Sequence, residues 1–323
     1  MEPRPVAHVE HLWRYAVKGL DRDALSAVEL GENCALPSDR RYALQYADSD
    51  QFDPFAPTWI HKKNFLCAFT AGPALGKYST TYNDADDVLT VRTRLTGKIL
   101  VHAQLTHPDG QARVEEFFST FTEPRRAVRL VQGSGGAMSP HHFGNTPCGY
   151  SKGSGDPRVL HILNSATVAA VESAARAAGV RAVLHTARFR PNVVLTGLSA
   201  WEEFAWVGRE IKVGGVKLRV LSRTVRCEAT NNDPWHPDEA AASTSSSSSS
   251  WLADEGVPEL IQRLFPEHGP YLGIYAQVIG AGTIKVGDAV MPLLDVDASV
   301  AACRSVCVVI LAGLCLACRL KQP

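Results

Sequence analysis

Thr224-Val225-Arg226-Cys227-Glu228-Ala229-Thr230-Asn231-Asn232-Asp233-Pro234 follows the strand-like run Val216 to Leu221 and opens a polar turn, which places a thiol at the exit of a strand. With Arg226 beside it and Arg223 nearby, the sulfur is positioned to attack an electrophile or to ligate a soft metal. A single cysteine can equally be a small buried hydrophobe. Other short apolar runs of the same kind lie on either side, at Asn192 to Leu195, Ile211 to Gly214, Tyr271 to Val278 and Ala289 to Leu293. Further upstream, Tyr42 to Tyr46, Val88 to Val91 and Ile99 to Ala103 are separated by Pro, Gly and Asp, as in the strands of a small barrel or sandwich. The one clear helix signal is Thr167 to Gly179, Ala-rich, with an N-cap at Ser165 or Thr167 and a glycine stop at Gly179. The fold class is therefore mostly β, of α+β type.

Composition sets the outer limits. The chain has 323 residues, enough for two modest domains or one large one. Lys plus Arg and Asp plus Glu balance at 33 each, so no net field argues for nucleic acid as a partner. The eight cysteines and the polar start Met1-Glu2-Pro3-Arg4-Pro5 predict a reducing, intracellular location rather than a disulfide scaffold. Residues 133–157 form a Gly/Ser/Pro/Asn-rich connecting loop expected to border the site, with His141 and His142 in it; His236 lies in another loop, and all three read chiefly as surface residues. Residues 240–250 are a serine-rich, low-complexity insert. Ser305 to Cys318 is an apolar run of fourteen residues, short for a spanning helix. Extended to residues 298–318 it reaches the length of a C-terminal anchor, with Arg319 and Lys321 outside; an ordinary amphipathic tail is the alternative. Cys303, Cys307, Cys315 and Cys318 in that tail fit lipidation better than zinc, because the stretch between the inner pair is apolar.

Three further segments stand in a fixed order around Cys227. Arg188-Phe189-Arg190-Pro191-Asn192-Val193-Val194 resembles the Arg/Asn-Phe-Arg-Pro-Asn element that precedes the cysteine of MOSC domains, and Gly282-Thr283-Ile284-Lys285-Val286-Gly287-Asp288 resembles their closing strand and turn. Leu12-Trp13-Arg14-Tyr15-Ala16-Val17-Lys18-Gly19-Leu20 is similar to the opening of the β-barrel domain that precedes MOSC in proteins of the amidoxime-reducing type and their bacterial relatives. The resemblance spans residues 8 to 292. It implies a MOSC N-terminal β-barrel-like domain over 1–132, the 133–157 loop, a MOSC domain over 158–295 and a hydrophobic tail over 296–323.

The same resemblance implies a molybdenum–molybdopterin cofactor with Cys227 as the metal ligand and catalytic thiolate. Such a cofactor needs one soft ligand, cations for its anionic tail and a polar cleft. Lys18, at a strand end, is the expected phosphate contact; Gly19 stands where the family has serine, which removes one hydroxyl donor. Arg40, in Ser38-Asp39-Arg40-Arg41-Tyr42, is the expected bidentate grip, the alternative being a surface Asp39–Arg41 pair. Arg190, fixed by Pro191 and flanked by Asn192, is the stronger arginine; Arg188 and Arg226 are further candidates. Asn164, Ser165 and Thr167 at the start of the helix would cradle the pterin, or would simply cap the helix. Tyr275 would lie near the cofactor or in the core.

The implied activity is reduction of small N-hydroxylated compounds to the amine and water. The chain has no dinucleotide fingerprint, haem attachment motif or iron–sulfur cysteine run, so a b-type cytochrome and an NADH-dependent reductase are the implied electron donors. The implied setting is the cytoplasm or a cytosol-facing membrane, the mitochondrial outer membrane included. A sulfur or cofactor carrier working through a Cys227 persulfide is the alternative. The pyridoxal phosphate associated with the family belongs to the sulfurases' own large domain, which has no counterpart in this sequence. A protein that kept the fold and lost the chemistry is a third possibility.

Overall fold

The structure is a computed structural model that describes residues 7–53, 60–121, 125–133, 143, 159–180, 184–231 and 256–293. The serine-rich insert, the tail with its cysteines, most of the 133–157 loop and His141, His142 and His236 lie outside the described residues.

The first strands are β1 (Ala7–Arg14), β2 (Asp23–Leu25), β3 (Ala27–Leu30) and β4 (Tyr42–Tyr46), followed by helix α1 (Ala68–Gly76). Next come β5 (Tyr78–Asn83), β6 (Val88–Thr93), β7 (Ile99–Gln104), helix α2 (Pro108–Phe118) and β8 (Val128–Gln132). The second half contains β9 (Leu160–Asn164), helix α3 (Ser165–Ala177), β10 (Val193–Thr196), β11 (Glu210–Val213) and β12 (Val216–Val225). Helix α4 (Val257–Leu264), β13 (Tyr271–Gly280), β14 (Gly282–Lys285) and β15 (Ala289–Pro292) complete it.

Seven strands close into a barrel in the order β10-β9-β13-β12-β11-β15-β1, and the β10–β1 pairing seals it. Its neighbours are antiparallel except β9 and β10, which run parallel and are joined through α3. Parallel strands need such a crossover, since a tight turn can only reverse the chain. The pattern on β12 shows how sequence makes the barrel. Val216, Leu218 and Val220 are buried in its interior while Lys217 and Arg219 face solvent, the period of two expected of a strand with one covered face. In β9 every residue is buried, because Leu160 and Ile162 face the barrel interior and Leu163 packs under α3 and α4.

The N-terminal expectation differs from what forms. β1 is a barrel strand, and β3 pairs with β14. Ala7, Val9 and Leu12 fill the gap between β10 and β15, which would otherwise leave two unpaired edges. What remains of residues 1–132 is not a second barrel among the described residues: β4 pairs with β8, and β5, β6 and β7 make a three-stranded meander. They share a core of Leu44, Leu89, Val91, Val114, Phe118 and Val128 with α2.

Helix α3 is capped one residue before Ser165 and three before Thr167, the two caps expected for it. Asn164 is its N-cap and accepts a hydrogen bond from the Ala166 amide. At the other end Gly179 adopts φ +76°, and the Val180 amide bonds back to the Ala175 carbonyl, so the expected glycine stop forms. Among the described residues no helix is long and apolar enough to cross a membrane.

Candidate active site

After β1 the chain runs beside the segment leading into β4. The Arg40 amide donates to the Tyr15 carbonyl at 2.7 Å, the Tyr42 amide to Ala16 at 3.0 Å and the Lys18 amide to Tyr42 at 2.8 Å. This lacing brings Lys18 and Arg40 together although they are remote in sequence. At Gly19 the backbone takes φ +86°, and a Cβ there would sit 2.7 Å from the Cys67 Cα and 2.8 Å from the Leu66 carbonyl oxygen. A serine has no room at this position, so the glycine is a packing requirement of this chain.

Arg40 has φ 48° and its guanidinium pairs with Asp39, whose other oxygen accepts from the Tyr15 amide at 2.7 Å. Asp39 is buried, and the expected Asp39–Arg41 surface pair does not form: Arg41 faces Asp84 and Asp87 at 3.9 and 3.7 Å. Arg190 follows the short turn Thr186–Phe189 in a left-handed conformation. Its Nη1 donates to the Leu20 carbonyl at 2.7 Å and its guanidinium lies 4.1 Å from the Tyr15 ring centre. Its Nη2 is buried and has no hydrogen-bond partner among the described residues. Arg226 donates through Nη2 to the Phe189 carbonyl at 3.1 Å and approaches His161 Nε2 at 3.5 Å.

These side chains surround one cleft of about 210 Å³. Lys18, Gly19, Arg40, Arg190, Asn192, Arg226, Cys227 and Tyr275 all line it. Cys227, just beyond the end of β12, is exposed rather than packed in the core, which disposes of the buried-hydrophobe alternative. The described lining carries five cations, Lys62 being the fifth, and no Asp or Glu. The electrostatics record the crowding. Burial, with Arg40, Arg190 and Lys62 adding to it against a pull from Cys67, pushes the Lys18 ammonium down to about 8. Burial and the adjacent Arg40 push Arg190 down to about 10. Among the described residues no cluster of three or more His, Cys, Asp or Glu side chains could hold a metal by itself.

Three expected cofactor ligands are elsewhere. Asn164 donates to the Ser199 carbonyl at 2.7 Å and to Glu203 at 2.9 Å, Thr167 donates to Glu203 at 2.9 Å, and Ser165 donates to the Leu195 carbonyl at 3.0 Å. Asn164, Thr167 and Glu203 are fully buried, so this group caps α3 and satisfies an interior carboxylate, whose pKa burial raises. Arg188 also stays outside the cleft. Its Nη1 donates to the Thr230 carbonyl at 2.9 Å and pins the turn that follows Cys227. Asn192 borders the cleft, but its amide is spent on the His161 amide and the Trp13 carbonyl, tying β9 to β1.

Sequence reasoning missed His161, Lys62, Cys67 and Phe69. His161 lies in the apolar run of β9, where a lone polar ring is itself a signal; it is tilted against Tyr275 with ring centres 5.2 Å apart. Burial and the nearby Arg226 hold its pKa well below 6.5, so it is neutral at pH 7. Cys67 is the N-cap of α1 and packs against Gly19; nothing local to its own segment reveals that.

Residues 139–291 match the family profile described as the MOSC domain. The chain carries a MOSC domain. Its barrel of seven strands and its cleft cysteine both fall mainly within that domain, while β1 is contributed from before it. Over 309 residues the chain is 24% identical to mitochondrial amidoxime reducing component 2 of Bos taurus, covering 90% of this chain and 84% of that protein. The Rattus norvegicus and Homo sapiens proteins of the same name are 32% and 30% identical over 114 and 102 residues, which is 33% and 32% of this chain and 30% and 29% of theirs. Among solved structures, the YUAD protein of Bacillus subtilis aligns over 88% of this chain and 93% of its own at 10% identity and a TM-score of 0.36.

Proposed function

We propose that this MOSC protein binds a molybdenum–molybdopterin cofactor and reduces small N-hydroxylated compounds, R–NHOH plus two electrons and two protons giving R–NH₂ and water. The observation that carries the reading is the single cleft in which an exposed Cys227 faces Lys18, Arg40 and Arg190 with no acid in the described lining. The residues fit the group. Cys227 offers a soft ligand, and the buried, unpartnered Nη2 of Arg190 calls for an anion's oxygen. When bound, the cofactor would supply a metal able to change oxidation level.

The chain's own groups do the rest. Arg190 would hold the anionic tail through its Nη2, with Arg40 and Lys18 adding positive charge in the same cleft. Arg226 and Tyr275 line the same cleft and would border the group, and neutral His161 would serve as a hydrogen-bond partner rather than as the acid. Protons reach the cleft at its open mouth, where Cys227 is exposed. Electrons come from a b-type cytochrome and its NADH-dependent reductase. The relatives' name supports a mitochondrial setting for this chain, and the apolar sequence of residues 298–318 supports an anchor there.

Elemental analysis tests the reading directly: molybdenum should accompany the purified protein and be lost from Cys227→Ala together with benzamidoxime reduction. Because the side chain is exposed, stability should change by less than about 0.5 kcal/mol. Benzamidoxime turnover by Cys227→Ala refutes the assignment. A second reading, sulfur carriage on a Cys227 persulfide, is favoured by the same exposure at the cleft mouth. It requires a persulfide-labelled Cys227 in protein that holds cofactor without turning over.

A further inference from the structure

The backbone that carries Arg40 into the cleft does not hold its shape unaided. Ser38 and Arg40 both adopt left-handed φ, 58° and 48°, a conformation in which the Cβ crowds the following carbonyl oxygen. Two such residues, neither of them glycine, persist only where the surroundings over-determine them. One hold lies on the cleft side. The Arg40 amide donates to the Tyr15 carbonyl at 2.7 Å, and Asp39 accepts from the Tyr15 amide at 2.7 Å. With that backbone in place, the Arg40 guanidinium pairs with Asp39 and reaches the Arg190 carbonyl at 3.4 Å.

A second hold comes from the turn between β5 and β6, residues 84–87, remote in sequence. Ser38 Oγ donates to Asp84 Oδ1 at 2.6 Å. The Tyr42 and Tyr82 hydroxyls both donate to Asp87, at 2.7 and 2.6 Å. Arg41 donates to the Tyr82 hydroxyl at 3.1 Å and faces the two carboxylates, while Arg14 at the end of β1 comes within 3.3 Å of Asp84. Residues on either side of Arg40 are thereby fastened to a single turn. Asp87 is itself buried and left-handed, with φ 55°. Neither carboxylate lines the cleft.

We infer that Asp84 and Asp87 are positioning residues for the anion site: they clamp residues 38–42 so that Arg40 keeps its left-handed backbone and its guanidinium stays in the cleft. This rests on the reading of the cleft as an anion site and deepens it. With the clamp loosened, Ser38 and Arg40 relax toward ordinary backbone, and the guanidinium is no longer held where an anion meets it. The sign of the effect separates positioning from simple charge. Removing a carboxylate near a cationic cleft tightens an anion by Coulomb attraction alone, whereas loss of positioning weakens it.

Calorimetric titration of sulfate into the full chain, free of cofactor, at pH 7 tests the idea without turnover. Arg40→Gln should weaken sulfate about tenfold. Asp87→Asn and Asp84→Asn should each weaken it about threefold, and neither should weaken it further in an Arg40→Gln background, where no guanidinium is left to place. A purely structural role would leave its full effect in that background. The Asp84 side chain is 43% exposed, so Asp84→Asn carries the test even where Asp87→Asn fails to fold, as a thermal melt would reveal. Unchanged or tighter sulfate binding in the folded aspartate variants, or a loss that persists in full without Arg40, overturns the inference. Sulfate binding unaltered by Arg40→Gln alone removes the anion site itself, and the clamp then has nothing to position.

Discussion

Lys18 makes the anion site dependent on pH in a way that can be calculated. Burial and the surrounding cations disfavour its charge and push the ammonium down to about 8. An anion bound among Lys18, Arg40 and Arg190 reverses that penalty and returns Lys18 toward its ordinary value of 10.5. The sign follows: anion binding takes up a proton wherever Lys18 is neutral in the free protein and charged in the complex, so affinity falls as pH rises past 8. Between pH 7 and pH 9 the expected loss is about tenfold, or ~1.4 kcal/mol. Sulfate is a suitable probe because it does not titrate in this range, and calorimetry on cofactor-free protein gives its Kd. Lys18→Arg keeps the charge throughout, so its sulfate affinity should be nearly flat over the same window. A flat profile in the wild type, or an equally steep one in Lys18→Arg, would refute the argument.

Gly19→Ser, the residue relatives are expected to carry, should destabilise the protein by ~3 kcal/mol, since it adds a side chain at positive φ against the backbone of Cys67 and Leu66; urea unfolding measures it, and Cys67→Ala should not rescue it because the clash is with backbone. Glu203→Ala should cost about 3 kcal/mol by leaving Asn164 and Thr167 with unmet donors, yet leave sulfate binding unchanged, since the group lies outside the cleft; weakened sulfate binding in folded protein would contradict that separation. Arg190→Ala should lower molybdenum content more than Lys18→Ala does, because a guanidinium fixed through Nη1 on the Leu20 carbonyl offers a directional donor at Nη2 and an ammonium only point contacts; equal metal content in the two purified variants would argue otherwise.

Sequence alone determined the elements that rest on local chemistry. The alternation in β12 is set by side-chain period, and the end of α3 by Gly179, so both are readable residue by residue. The ordered resemblance around Cys227 also marked most of the polar cleft, because those residues sit in short contiguous strings. Tertiary structure decided everything that depends on pairing between distant segments. β1 joined the barrel because two open edges needed a strand, and no local pattern distinguishes that from a strand in the first domain. Asn164 and Thr167 left the candidate site because a carboxylate from Glu203, remote in sequence, meets them, and Ser165 left it because its hydroxyl donates to the Leu195 carbonyl. Cys67, Lys62 and Phe69 entered it for the converse reason: chain folding, and no motif, brings the start of α1 against the cysteine turn. A strand's period is a property of neighbours in sequence, whereas a cleft is a property of neighbours in space.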